Sequence, residues 1–200
     1  THRNTASDDF KLTAEKLEEA VKNDSTIKGV ILNYPTNPTG VEYTHEEIKQ
    51  LAKIVEKYNL YVITDEIYSS LTYGAEHYSI ATEIPDRTLY ISGLSKSHAM
   101  TGYRLGYIAG PKKVMDQISK GHGLMATTTT DSSQAAAIEA LTNGINDSEE
   151  YKKIYQKRRD FVVNELSKMG VEFIKPQGAF YIFAKIPEKY GTDDMQFALD

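Results

Sequence analysis

Leu60-Tyr-Val-Ile-Thr-Asp-Glu-Ile-Tyr68 decides how this chain folds. Residues 60–64 are apolar or β-branched, as in a short buried strand, and the run stops at once on two carboxylates. Immediately upstream, Thr44-His-Glu-Glu47 has the form of a capping box, and Ile48, Leu51, Ala52 and Val55 make one apolar stripe at helical spacing. A helix therefore feeds the strand. The same unit precedes it: Leu17, Ala20 and Val21 recur at helical period over residues 12–23 behind Thr13, and residues 27–32 then read as a strand. Further short β-branched or aromatic runs follow at residues 88–92 and 105–109. This alternation predicts an α/β architecture, a mostly parallel sheet sandwiched by helices.

Beyond that unit, residues 111–123 and 131–143 are helical candidates, and Thr127-Thr-Thr-Thr130 between them is a β-branched connector to which no chemistry is assigned. Residues 147–169 repeat apolar positions at helical period, with Gly170 placed to end the helix. Two strands are expected next, residues 171–174 and 179–183, joined as a hairpin through Pro176-Gln-Gly178. Residues 192–200 read as the opening of a helix capped by Thr192. The expected division is a large domain over 1–146, a connecting helix over 147–169 and the start of a smaller α+β domain over 170–200.

Composition narrows the function classes. Of 200 residues, 40% are hydrophobic and 26% charged, enough for one sizeable core, and the formal net charge of -5 predicts no broad electropositive surface for nucleic acid or anionic membrane. Cysteine is absent, which removes disulfides, thiolate metal sites and cysteine nucleophiles from this chain. No apolar run approaches the roughly 20 residues of a membrane-spanning helix. Residues 1–9 are polar and lack a signal-peptide core.

Three polar clusters stand at three predicted strand ends. The first strand runs into Asn33-Tyr-Pro-Thr-Asn-Pro-Thr-Gly40, the second into Asp65-Glu-Ile-Tyr68, the third into Gly93-Leu-Ser-Lys96. Each has an ordinary structural reading: a tight turn, a cap, a solvated loop lysine. In open parallel sheets, however, ligands bind outside the carboxyl ends of the strands, so the three clusters would line one crevice.

Asn-Pro-Thr-Gly, then Asp-x-x-Tyr, then Ser-Lys followed eight residues later by Arg104 resembles the motif set of the class I aminotransferases, pyridoxal-phosphate enzymes of fold type I. Gly93-Leu-Ser-Lys96 with Ala99, Met100, Gly102, Arg104, Leu105 and Gly106 carries the most specific part, and Pro176-Gln-Gly-Ala-Phe-Tyr-Ile-Phe183 is similar to the start of the family's small domain. The resemblance implies that Lys96 holds pyridoxal 5'-phosphate as a Schiff base and, once displaced by the substrate amine, acts as the base at the substrate α-carbon. It implies that Asp65 pairs with the pyridine nitrogen, that Tyr68 and Asn37 donate to the phenolic oxygen, and that Arg104 and Ser95 bind the phosphate. The Asn37-Pro38 bond is expected cis, as in the family. His98, Tyr73 and Tyr103 are read as structural or packing residues.

This sequence departs from the family at Gly93, where many relatives carry Ser or Thr, which is why Ser95 rather than Ser92 is favoured for the phosphate. The family's substrate-carboxylate arginine, its second phosphate loop and its partner-donated tyrosine find no match here, so the chain is expected to be an internal fragment of an enzyme about twice as long, inactive alone. The activity implied is transfer of an amino group between an aromatic, acidic or acylated diamino acid and a 2-oxo acid, in a cytoplasmic homodimer. A carbon-sulfur lyase with the same cofactor, or a non-catalytic domain of the same fold, are the alternatives.

Overall fold

The computed structural model describes residues 8–199; the reading of residues 1–7 lies outside them. Helix α1 (Ala14–Asn23) starts at Thr13, whose hydroxyl accepts from the Lys16 amide, and buries Leu17, Ala20 and Val21. Strand β1 (Gly29–Asn33) follows, then α2 (His45–Lys57), where Thr44 and Glu47 form both halves of the expected capping box. Strand β2 (Tyr61–Asp65) and strand β3 (Thr88–Gly93) complete a parallel trio. Leu17, Val21, Leu32, Ile48, Leu51, Val55, Leu60 and Val62 form the main core between α1, α2 and one face of the sheet.

The sheet has the order β1-β2-β3-β4 and is mostly parallel, as expected; its last strand is the exception, β4 (Gly106–Ala109) running antiparallel to β3. The cause is the connection. A parallel return needs a crossover of a dozen or more residues, usually a long helix. The link between β3 and β4, residues 94–105, is just long enough in number, but its one α-helix, α3 (Leu94–Ser97), has four residues and cannot run back along the six-residue β3, so the chain turns straight back. On the sheet's other face at β1 and β2, Ile31 is 74% and Tyr61 47% exposed.

Helix α4 (Lys112–Met125) and α5 (Asp131–Thr142) flank the Thr127–Thr130 connector, whose last residue caps α5 by accepting from the Ser133 amide. Helix α6 (Ser148–Lys168) ends at Gly170, which takes a φ of +70°. The Val171 amide reaches the Leu166 carbonyl and the Gly170 amide the Ser167 carbonyl, the paired bonds of a left-handed helix stop. Helix α7 (Asp194–Leu199) is capped by Asp193, whose carboxylate accepts from the Gln196 amide, and not by Thr192. No helix among the described residues is long and apolar enough to cross a membrane.

The expected 171–174 and 179–183 hairpin shrinks to β5 (Phe173–Ile174) against β6 (Phe183–Ala184). The intervening segment docks elsewhere. The amides of Gln177 and Gly178 both donate to the Gly40 carbonyl, the Ala179 amide to the Leu71 carbonyl, and the Tyr73 amide to the Gln177 carbonyl. Two glycines permit this approach. A Cβ on Gly40, whose φ is +69°, would stand 2.4 Å from Pro176 Cβ, and one on Gly178 would stand 2.5 Å from Pro35 Cγ.

Gly40→Ala should therefore destabilise by more than the ~1–2 kcal/mol of left-handed strain alone, because the methyl has no room. Gly74→Ala is the control, since Gly74 also has a positive φ (+82°) but open space around its Cβ position. Thermal unfolding of the two variants should rank Gly40→Ala clearly lower; equal midpoints would contradict the docked arrangement.

Candidate active site

Strand register brings the three clusters together. Asn33 at the end of β1 pairs with Asp65 at the end of β2, and Asp65 pairs with Ile91 near the end of β3. The three chains thus leave the sheet side by side and on the same edge.

From β1, the chain passes two cis peptide bonds, Tyr34-Pro35 and the expected Asn37-Pro38. Its turn is closed from within: the Asn33 side chain accepts from the Asn37 amide at 3.2 Å, and the Thr36 hydroxyl donates to the Asn33 carbonyl at 2.7 Å. That leaves Asn37 exposed. From β2, Asp65 Oδ1 accepts from the Ile67 amide at 3.2 Å, which fixes the carboxylate over its own turn. Tyr68 follows and is buried against Leu71 and Ala179. From β3, Gly93 has extended backbone; a Cβ there would meet the Leu105 carbonyl at 2.9 Å and Ile67 Cδ1 at 3.3 Å. A Ser or Thr at this position would require the Leu105–Gly106 backbone to shift. Leu94, 2% exposed, anchors α3 to Ala137 and Ala140 of α5 and so sets where Lys96 begins.

Lys96 Nζ lies 5.5 Å from the centre of the Tyr68 ring and 5.3 Å from that of Phe180, within cation–π range of both. Tyr181 was not anticipated. Its hydroxyl oxygen is 2.5 Å from the Tyr68 hydroxyl and accepts from Asn37 Nδ2 at 3.3 Å, so Asn37 and Tyr68 converge on one oxygen atom. Burial raises the Tyr68 hydroxyl above the usual tyrosine range, and its bond to Tyr181 and the nearby Asp65 charge push the same way. Tyr68 therefore keeps its proton as a donor. No sequence signal could have marked Tyr181, because its partners lie 113 and 144 residues away.

The remaining residues stand apart. Arg104 is exposed, takes a left-handed φ of 53°, and donates from Nη1 to the Thr101 carbonyl at 2.9 Å. It borders an open hollow of about 990 Å³ shared with Ala99, Gly102, His122, Thr129 and Ser133. The Ser95 carbonyl accepts from the Thr101 hydroxyl, while Ser92 is buried and its hydroxyl turns to the Glu66 carbonyl at 3.4 Å. His98 is a structural tie between Ser97 Oγ, at 2.8 Å, and the Gly144 carbonyl, at 3.0 Å. Tyr73 is buried and its hydroxyl bonds the Ala179 carbonyl, whereas Tyr103, expected to pack, is 47% exposed.

Residues 2–199 match the family described as aminotransferase class I and II. The chain is 45% identical over 195 residues to the probable N-acetyl-LL-diaminopimelate aminotransferase of Bacillus subtilis (strain 168), covering 98% of this chain and 49% of that protein. It is 43% identical to an aspartate aminotransferase of Bacillus sp. (strain YM-2), covering 92% of this chain and 48% of that one. Among solved structures, the aromatic aminotransferase of Pyrococcus horikoshii OT3 superposes with a TM-score of 0.90 at 35% identity, covering 98% of this chain and 53% of that one. The aspartate aminotransferase of Thermotoga maritima gives 0.88 at 38%, covering 97% and 50%. The chain spans about half the length of the curated relatives it matches. With these likenesses running along nearly its whole length, the chain belongs to the class I and II aminotransferases.

Proposed function

We propose that this chain supplies the lysine-bearing half of a pyridoxal-phosphate aminotransferase, which moves an amino group between an amino acid and a 2-oxo acid. The observation that carries the reading is the convergence of the Asn37 amide and the Tyr68 hydroxyl on a single oxygen, with Lys96 Nζ 5.5 Å from the centre of the Tyr68 ring. The donor set fits the cofactor: a carboxylate for a pyridinium nitrogen, two neutral donors for a phenolic oxygen, an amine for a carbonyl carbon and a guanidinium for a phosphate. Bound there, pyridoxal phosphate supplies a sink for the electron pair left at the substrate α-carbon.

The protein's own groups do the rest. Lys96 would hold the cofactor through Nζ and, once the substrate amine has displaced it, the freed amine would accept the α-proton and deliver it to the cofactor's carbonyl carbon. Asp65, held by the Ile67 amide, keeps a negative charge against the ring nitrogen. Tyr68 and Asn37 donate to the phenolic oxygen in place of their present partner, Tyr181. Arg104 and Ser95 hold the phosphate, the arginine by its planar fork. Residues 1–146 serve as the cofactor-binding domain, 147–169 as the connecting helix and 170–200 as the start of the small domain. The working assembly is a cytoplasmic homodimer, carried over from the family resemblance.

A screen of amino donors against 2-oxo acids with the complete gene product tests this. Wild-type protein should be yellow and transaminate, Lys96→Ala should lose at least about 10³-fold in rate, and borohydride should fix the chromophore on residue 96. Pyruvate and ammonia released without an added oxo acid would show a lyase instead, and a colourless protein that takes up no cofactor would show a non-catalytic domain.

Tyr68→Phe removes one neutral donor and leaves the fold's apolar contacts. A loss of roughly 10-fold in kcat/KM is expected, about the worth of one hydrogen bond. An unchanged value would remove Tyr68 from the site.

A further inference from the structure

Three titratable side chains from three separate stretches of chain meet away from the crevice. Glu42 follows the Asn37–Gly40 turn, Glu66 stands between Asp65 and Tyr68, and His77 comes from the loop after Gly74. His77 Nδ1 is 3.0 Å from Glu42 Oε2, and Nε2 is 2.6 Å from Glu66 Oε2. A neutral imidazole has a single N–H, so two contacts to ionised carboxylates put a proton on each nitrogen, in line with the raised value of His77. The group is an imidazolium held between two carboxylates.

Both carboxylates are otherwise satisfied. Glu66, fully buried, also accepts from the Thr64 hydroxyl at 2.9 Å and the Ser79 hydroxyl at 2.8 Å. Glu42, 6% exposed, accepts from the Tyr43 amide at 2.9 Å and lies 3.1 Å from the Thr72 hydroxyl. The Tyr34 ring lies over the imidazole at 5.1 Å. Among the described residues Tyr34, Tyr43 and Tyr90 are other titratable groups that feel these carboxylates; burial raises all three, Tyr43 to about 12, so none carries charge. Glu76, next in sequence, is exposed.

A buried charged cluster is weak evidence for stability, since apolar packing would serve as well. Its place in the chain is the telling feature. Glu66 shares a turn with Asp65 and Tyr68. Glu42 directly follows the turn of Asn37, and its backbone amide donates to the Gln177 side chain at 3.0 Å, holding the segment that carries Tyr181. Directed hydrogen bonds fix angles that apolar contacts leave free.

We propose that Glu42, His77 and Glu66 are a positioning clamp, in which the imidazolium locks the turn of Asn37 against the turn of Asp65 and Tyr68 so that both donors keep one target. This rests on the cofactor-site reading above. Burial alone would lower His77, but hydrogen bonds to Glu42 and Glu66 outweigh it and raise the group from 6.5 to about 9. Because the folded value is the higher one, the clamp's contribution is complete below about pH 6.5 and is lost as pH rises through about 9. The site should loosen in alkali.

Two measurements on the complete protein decide this. In ¹⁵N-histidine-labelled protein, the His77 signal, assigned by its loss in His77→Gln, should show both ring nitrogens protonated at pH 7.5 and titrate near 9. A neutral ring at pH 7.5 overturns the clamp whether or not cofactor binds. Pyridoxal-phosphate titrations of apoprotein should show His77→Gln weakened at least 10-fold. Glu42→Gln, which keeps the Glu66 pair and serves if His77→Gln fails to fold, should weaken several-fold and lose binding at lower pH than wild type. Unchanged affinity and an unchanged alkaline midpoint in folded Glu42→Gln would reduce the cluster to a structural role. Wild-type protein that binds no cofactor would sink the functional reading instead, leaving the nitrogen signals to judge the clamp.

Discussion

Parallel pairing of β1, β2 and β3 in matched register is the constraint on which the rest depends. Because Asn33, Asp65 and Ile91 stand level, the chain leaves the sheet three times along one edge. Each exit is then fixed by its own local chemistry: cis turns and an Asn33 side-chain bond at the first, an aspartate-closed turn at the second, a cramped glycine before a short helix at the third. A slip of one residue in any strand would reverse which side chains face the helices, so the core of Leu32, Val62 and Leu51 protects the geometry of the edge.

Much of this was legible in the sequence, for physical reasons. Thr13 and Thr44 are caps because their hydroxyls satisfy free helical amides, a local effect with a local signature. Leu17, Ile48 and Val55 are buried because helical period puts them on one face. What escaped was long-range. The reversal of β4 depends on how short the helix between it and β3 is, and the docking of residues 176–179 depends on space left by Gly40 and Gly178. Tyr181 reaches Asn37 across 144 residues, and His77 reaches Glu42 across 35, with no periodicity to announce either.

The exposed apolar residues fit a chain that spans half of its relatives. Ile31 and Tyr61 on the sheet, Leu124 and Met125 at the end of α4 and Phe161 on α6 are all solvent-facing here. Arg104 shares this condition, bordering a wide hollow and bonded to the turn it ends. By contrast Lys96, Tyr68, Asn37 and Tyr181 already stand in mutual contact or near it, which makes that group the self-contained part of the site.

A crystal structure of the complete gene product grown with pyridoxal phosphate tests the central claim most directly. The account predicts unbroken density from Lys96 Nζ to the cofactor, the Asn37 amide and Tyr68 hydroxyl on one phenolic oxygen, and Asp65 at the ring nitrogen. Cofactor seated elsewhere, with Lys96 unmodified and Asn37 and Tyr68 still bonded to Tyr181, would contradict it.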